Sequence, residues 1–241
     1  MASVGKLTPA TRVVVTGANR GLGLELTRQL LARGDRVIAG CRNPGRALNL
    51  TELAAAHPGH LHTIPLDLGK QRSIAGFARE AGMVRDACDV LVNCAGILVS
   101  GERFGELSPQ TFTDSWQTNA LGPLLLTQAF VPMLASGTRP RVINVSSELG
   151  SLAGTTHFHS PSYAMSKAAL NMATRLLAAE LAAQDVVVVS LHPGWVRTDM
   201  GGPNATLGVA ESVRGMLRIV DALVVADNGA FLDHRGETLD W

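Results

Sequence analysis

Arg12-Val13-Val14-Val15-Thr16-Gly17-Ala18-Asn19-Arg20-Gly21-Leu22-Gly23 is the stretch that decides the fold. Its first five residues are a β-branched run, long enough for a strand buried on both faces. It passes directly into three glycines. Leu22, Leu26, Leu30 and Leu31 then recur at helical spacing until Arg33-Gly34 ends the pattern. A glycine-rich turn between a strand and a helix N-terminus is an anion site. The glycines let the backbone approach a pyrophosphate, and the helix end offers unpaired N–H groups. The spacing here is T-G-x-x-x-G-x-G, distinct from the common G-x-G-x-x-G.

Outward from this stretch, strand and helix patterns alternate. Strands are predicted over 36–40, 60–66 (ending at Asp67), 89–92, 141–145, 186–190 and 230–232. Helices are predicted from Asn43-Pro44 to Ala56, over 70–87, from Ser108-Pro109 to about 136 with a bend at Gly122-Pro123, from Ser160-Pro161 onward, and over 206–221. This alternation predicts a doubly wound, Rossmann-type α/β domain, with a mostly parallel seven-stranded sheet and helices on both faces. Residues 1–11 read as a short leader, 12–241 as one domain, and the Gly/Pro-rich segment at about 193–208 as a substrate loop.

The 241 residues suit one large domain. A net charge of +1 gives no electrostatic ground for nucleic acid or an anionic membrane as partner. No apolar run approaches a membrane span and the N-terminus does not read as a secretory signal, so the expected location is cytoplasmic. Cys41, Cys88 and Cys94 are an odd set, each near a predicted strand, and read as reduced thiols. His57, His60 and His62 match no common zinc spacing, so no metal is expected.

Two features carry chemistry. Tyr163 is the only tyrosine, and Lys167 follows by four, on the same helix face. A phenol titrates near ~10, and a neighbouring ammonium is expected to lower that value towards neutrality. The second feature is the end of the second strand, Cys41-Arg42-Asn43. An acidic residue there would bind a ribose 2′-hydroxyl, but Arg42 is present and Arg20 lies in the glycine turn. Two guanidinium groups suit a 2′-phosphate. At about 1.5–3 kcal/mol for each charge-assisted bond, they would prefer NADPH over NADH by roughly ten- to hundredfold.

Thr16-Gly17-x-x-x-Gly21-x-Gly23, Asn93-x-Ala95-Gly96, Asn119, Ser147, Tyr163-x-x-x-Lys167 and Pro193-Gly194 occur in this order. Together they resemble the short-chain dehydrogenase/reductase family over almost the whole chain. Gly17-x-Asn19-Arg20-Gly21-Leu22-Gly23-Leu24, Cys41-Arg42-Asn43, the run Leu191 to Gly202 and Trp241 are most similar to its C-factor and sniffer-like carbonyl reductase branch. The resemblance implies an NADPH-dependent reductase of a small-molecule carbonyl: an aldehyde, ketone, dicarbonyl or quinone. It implies Tyr163 as general acid, Ser147 as hydrogen-bond donor to the carbonyl oxygen (Ser146 as second choice), Lys167 on the nicotinamide ribose, and Asn119 positioning a water that connects Lys167 to solvent. It further implies an NADP(H) cradle of Gly17, Asn19, Arg20, Gly21, Leu22, Gly23, Arg42, Asp67, Leu68, Asn93, Ala95, Gly96, Asn119, Tyr163, Lys167, Pro193, Gly194, Val196 and Thr198. Asp67 would meet the adenine and Thr198 the carboxamide. A homodimer through the helices containing Asn119 and Lys167 also follows from it.

Two departures stand out. Cys94 occupies a position where the family often has a second Asn, and the Ser147–Tyr163 interval is long and contains His157, Phe158 and His159. Trp195, Met200, Leu207 and Phe231 are expected to close an apolar pocket. The C-factor resemblance also motivates a second reading, an NADP(H)-binding sensor or signalling protein with little turnover, which needs neither Ser147 nor Tyr163.

Overall fold

The computed structural model describes residues 10–241, so most of the expected leader lies outside the described residues. Seven strands form one sheet: β1 (Arg12–Thr16), β2 (Arg36–Cys41), β3 (Leu61–Pro65), β4 (Val90–Asn93), β5 (Arg141–Val145), β6 (Val187–His192) and β7 (Phe231–Asp233). Their order is β3-β2-β1-β4-β5-β6-β7. Every neighbouring pair is parallel, including the closing β6–β7 pair, so the expected "mostly parallel" sheet is wholly parallel. The order reverses between β1 and β4, which opens a crevice at their carboxyl ends.

Period-two alternation divides the strand residues between two cores. Val13, Val15, Val37, Ala39, Val90, Val92, Ile143, Val187 and Val189 face α1 (Gly21–Ala32), α2 (Leu48–Ala56) and α7 (Val209–Ala222). Val14, Ile38, Leu91, Val142 and Val188 face α3 (Gln71–Val84), α5 (Gly122–Ala135) and α6 (Pro161–Glu180). An eighteen-residue apolar span is unnecessary for this architecture, and among the described residues no helix is long and apolar enough to cross a membrane.

Two expected helices are interrupted. The segment from Asn43 to Ala56 is a 3₁₀ turn (Pro44–Arg46), then Ala47 at φ −93° and ψ 66°, then α2. Gly45 behind Pro44 is a poor helix interior, and Ala47 turns inward to be buried. The long helix from Ser108 is α4 (Pro109–Trp116), a wide π turn (Gln117–Leu121), and α5. The irregularity therefore precedes the expected bend at Gly122-Pro123. Pro123 has no N–H for the Asn119 carbonyl four residues earlier, so the α-helical ladder cannot run through Asn119.

Candidate active site

The site is built at the carboxyl ends of β1, β4, β5 and β6. Thr16 Oγ1, at the end of β1, accepts the N–H groups of both Cys94 and Ala95 at 3.0 Å, which staples β1 to the loop after β4. A threonine before a glycine turn gives no sequence sign of a bond 78 residues away. The approach is close enough that Gly17, at φ +67°, has no room for a side chain: a Cβ would lie 2.8 Å from Ala95 Cα. Arg20 precedes α1 without capping it, so the first-turn N–H groups of α1 have no side-chain acceptor. An uncapped helix start behind a glycine turn fits a pyrophosphate.

Arg42 is exposed at the end of β2. Arg20 is paired with Asp199 at 3.3 Å, so the glycine turn is tied to the loop after β6. Thr198 lies beside it, its Cγ2 3.5 Å from the place of a Cβ on Gly21. Pro193 is fixed through its carbonyl, which accepts from Ser212 Oγ at 2.6 Å. Gly194 is at φ +83°, and Val196 is buried. Asp67 Oδ1 accepts the Gly69 N–H at 3.1 Å, while Leu68 packs against Gly122.

The catalytic candidates converge. Tyr163 and Lys167 lie one turn apart on α6, 8% and 4% exposed. The Lys167 ammonium stands 5.6 Å from the Tyr163 ring centre and donates to the Val145 carbonyl at 2.7 Å. Ser147, just beyond β5, is near enough to the Tyr163 phenol to draw its pKa down. Ser146 is engaged elsewhere, donating to Asn171 Oδ1 at 2.7 Å, which leaves Ser147 as the serine facing the site. Asn119 accepts the Ile97 N–H at 2.8 Å and donates to the Ile97 carbonyl (2.8 Å) and Ser166 Oγ (2.9 Å). Its side chain thus anchors the loop after β4 to α6. Gly96 passes close by: a Cβ there would sit 3.3 Å from Asn119 Oδ1 and 3.9 Å from Lys167 Nζ.

The expected lowering of the Tyr163 pKa does not occur. Burial pushes it up to about 12, against a smaller downward pull from Ser147. Burial also brings the Lys167 ammonium down to about 8. The helix spacing places the two groups together, but the same burial disfavours both charged forms. Cys94, in the position where a second Asn is common, has its thiol pushed to about 12 by burial and is therefore an inert thiol at neutral pH.

Other expected residues lie apart from the crevice. Asn93 is directed inward, donating to Asn144 Oδ1 at 2.8 Å and Thr127 Oγ1 at 3.2 Å. Phe231 is wholly buried and stacks on Trp241 with centres 5.3 Å apart, so it supports the floor and does not line a pocket mouth. Trp195 and Met200 are exposed on the loop after β6. His157 and His159 are exposed, while Phe158 meets Phe104 edge-on at 5.5 Å. Among the described residues there is no cluster of His, Cys, Asp and Glu that could hold a metal ion.

One residue with no sequence signal is Glu102. Its Oε2 accepts both the N–H (3.2 Å) and Oγ–H (2.9 Å) of Ser162 in the first turn of α6. α6 has no cap of its own, since Ser160 is left-handed (φ 42°) and makes no capping bond. A carboxylate from another loop supplies it.

A doubly wound parallel sheet with a glycine turn at its switch point and a buried Tyr–Lys–Ser group beyond β5 defines a dinucleotide-type oxidoreductase fold. The family model for short chain dehydrogenases matches residues 11–206, and the chain belongs to that family. It is 46% identical to C-signal of Myxococcus xanthus over 153 residues, covering 64% of this chain and 92% of that protein. An NADPH-bound carbonyl reductase from chicken fatty liver superposes with a TM-score of 0.91 at 36% identity, over 96% of this chain and 99% of that one. The carbonyl reductase Sniffer of D. melanogaster also gives 0.91, at 35% identity, over 96% and 100%.

Proposed function

We propose that the protein is an NADPH-dependent reductase of a small carbonyl compound: an aldehyde, ketone, dicarbonyl or quinone. The observation that carries this reading is the buried Tyr163 phenol, with Lys167 5.6 Å from its ring centre and Ser147 near enough to draw its pKa down. A dinucleotide held there would supply hydride to the carbonyl carbon. Tyr163 gives its proton to the carbonyl oxygen, and Ser147 donates a hydrogen bond to the same oxygen as charge develops there. A phenol held at about 12 stays protonated at neutral pH, which suits an acid working in the reducing direction. In this reading Lys167 and the nearby backbone at Gly96 hold the nicotinamide ribose, with Asn119 fixing the loop between them.

Gly17, Asn19, Arg20, Gly21, Leu22 and Gly23 with the start of α1 form the pyrophosphate cradle in this reading. Arg42 and Arg20 meet the 2′-phosphate, Arg20 exchanging its exposed Asp199 partner for it. Residues 12–241 act as one unit, cytoplasmic in location, with the loop at about 193–208 covering substrate and cofactor. The relationship to C-signal supports a second reading, a cofactor-dependent signalling protein acting through a partner. That reading makes no use of Tyr163 or Ser147.

The test is NADPH consumption at neutral pH against aldehydes, diketones and quinones. Turnover that disappears in Tyr163→Phe with NADPH binding intact is the expected result. Turnover retained by that variant removes Tyr163 as the acid. Tight NADPH binding without turnover on any carbonyl favours the signalling reading.

A further inference from the structure

His192 is the last residue of β6, directly before Pro193-Gly194, and it is 8% exposed. Its Nδ1 accepts the backbone N–H of Glu148 at 3.3 Å. A backbone amide can only donate, so this bond requires Nδ1 to be unprotonated and the ring hydrogen to reside on Nε2. The peptide it holds is the one that follows Ser147. The rest of that turn is closed by the Leu149 N–H on Ser147 Oγ (3.2 Å) and the Gly150 N–H on the Ser147 carbonyl (2.9 Å). One imidazole therefore joins the turn carrying Ser147 to the strand end carrying the 193–194 loop.

The charged and titratable groups around the ring come from both neighbouring elements. Glu148 Oε2 lies 3.8 Å from His192 Nε2 on the side of the 3₁₀ turn after β5. Asp233 and His234 approach from the end of β7. Asp233 is already committed to Arg235, at 2.9 Å. His234 stands against Gly194, its Nδ1 3.1 Å from the place of a Cβ there, and that nitrogen is buried without a partner. Burial and His234 oppose a charge on His192, while Glu148 and Asp233 favour one.

We propose that neutral His192 is a positioning residue that holds the Ser147 turn by accepting the Glu148 N–H, and that protonating it at Nδ1 releases this turn and lowers activity in acid. Nothing is transferred to substrate. The proton taken up in acid occupies the lone pair that the Glu148 amide uses, and donor then faces donor. Its catalytic consequence rests on the reductase reading; its tautomer does not.

Two measurements on the full-length protein test it. In a nitrogen-15 NMR spectrum the His192 ring should show the Nε2–H tautomer at pH 7.5. An Nδ1–H tautomer overturns the proposal whatever the protein catalyses. For activity, His192→Asn offers an oxygen near the place of Nδ1 that accepts but does not titrate. His192→Leu offers no acceptor. The acid limb of the wild-type kcat profile should be absent from His192→Asn between pH 5 and pH 7, with pH 7.5 turnover within about threefold. His192→Leu should run about tenfold below the wild type in kcat at pH 7.5, the loss expected for one buried hydrogen bond, with the difference closing towards pH 5 as the wild type loses the same bond, and with KM for NADPH unchanged. An unaltered acid limb in His192→Asn, or full turnover in His192→Leu, overturns the positioning role. Thermal melts of both variants separate these outcomes from a failure to fold.

Discussion

Lys167 shows how one burial sets both chemistry and stability. Its ammonium titrates near 8 in the folded protein against an ordinary 10.5, because removal from water penalises the charge. Between those values the unfolded chain keeps a proton that the native protein has lost, so the unfolding free energy rises with pH. Tyr163 acts in the opposite sense: between 10 and about 12 the native phenol keeps a proton that the unfolded chain has lost, and stability falls with rising pH. In urea unfolding, the stability of the wild type relative to Lys167→Met should therefore increase from pH 8 to pH 9.5. A constant difference would mean the lysine titrates normally. Arg42 offers a second residue-level test. Arg42→Asp places a carboxylate at the end of β2 and should shift the NADPH-to-NADH ratio of kcat/KM by about ten- to hundredfold towards NADH. An unchanged ratio would remove Arg42 from phosphate recognition. Helical spacing is local, so the meeting of Tyr163 and Lys167 is legible in the sequence. It did not give the direction of the phenol's pKa, which depends on how much sheet and loop is packed over both side chains.

At the scale of elements, α6 carries Tyr163 in its first turn yet begins without a local cap, and Glu102 closes that turn from the loop after β4. Glu102→Ala should lower the unfolding free energy by about 1–2 kcal/mol, as loss of a helix cap does. Urea unfolding checks this, and a loss below about 0.3 kcal/mol would show that water replaces the carboxylate fully. A contact across 60 residues has no sequence period, which is why it was not foreseen. The same holds for the buried polar row in which Asn93 bonds Asn144, Asn144 bonds Thr174 and Thr174 bonds Ser190. The elements themselves were legible because their patterns are short-range: β-branched runs gave the strands within about two residues, and leucine spacing gave α1. The failures fall where one proline or one inward residue overrides the pattern, at Ala47 and at the π turn before Pro123.

For the molecule as a whole, α4 and α6 leave Trp116, Met165, Met172 and Leu176 exposed at 50–62% on their outer faces. We propose that these side chains flank the homodimer contact that the family resemblance implies, through the helices containing Asn119 and Lys167. Sedimentation at micromolar concentration should show a dimer, and Met172→Glu a monomer; a monomeric wild type would remove that reading. The sheet has a further consequence, for synthesis. β1 emerges first but belongs in the middle, and Arg12 at its start waits 77 residues for Asp89, next to its neighbour β4. At roughly 5–20 residues per second, the edge of β1 that pairs with β4 through Val13, Val14 and Val15 stays open for about 4–15 s on the ribosome. Unpaired strand edges recruit other chains. The nascent chain therefore carries an open central-strand edge until its fourth strand has been made.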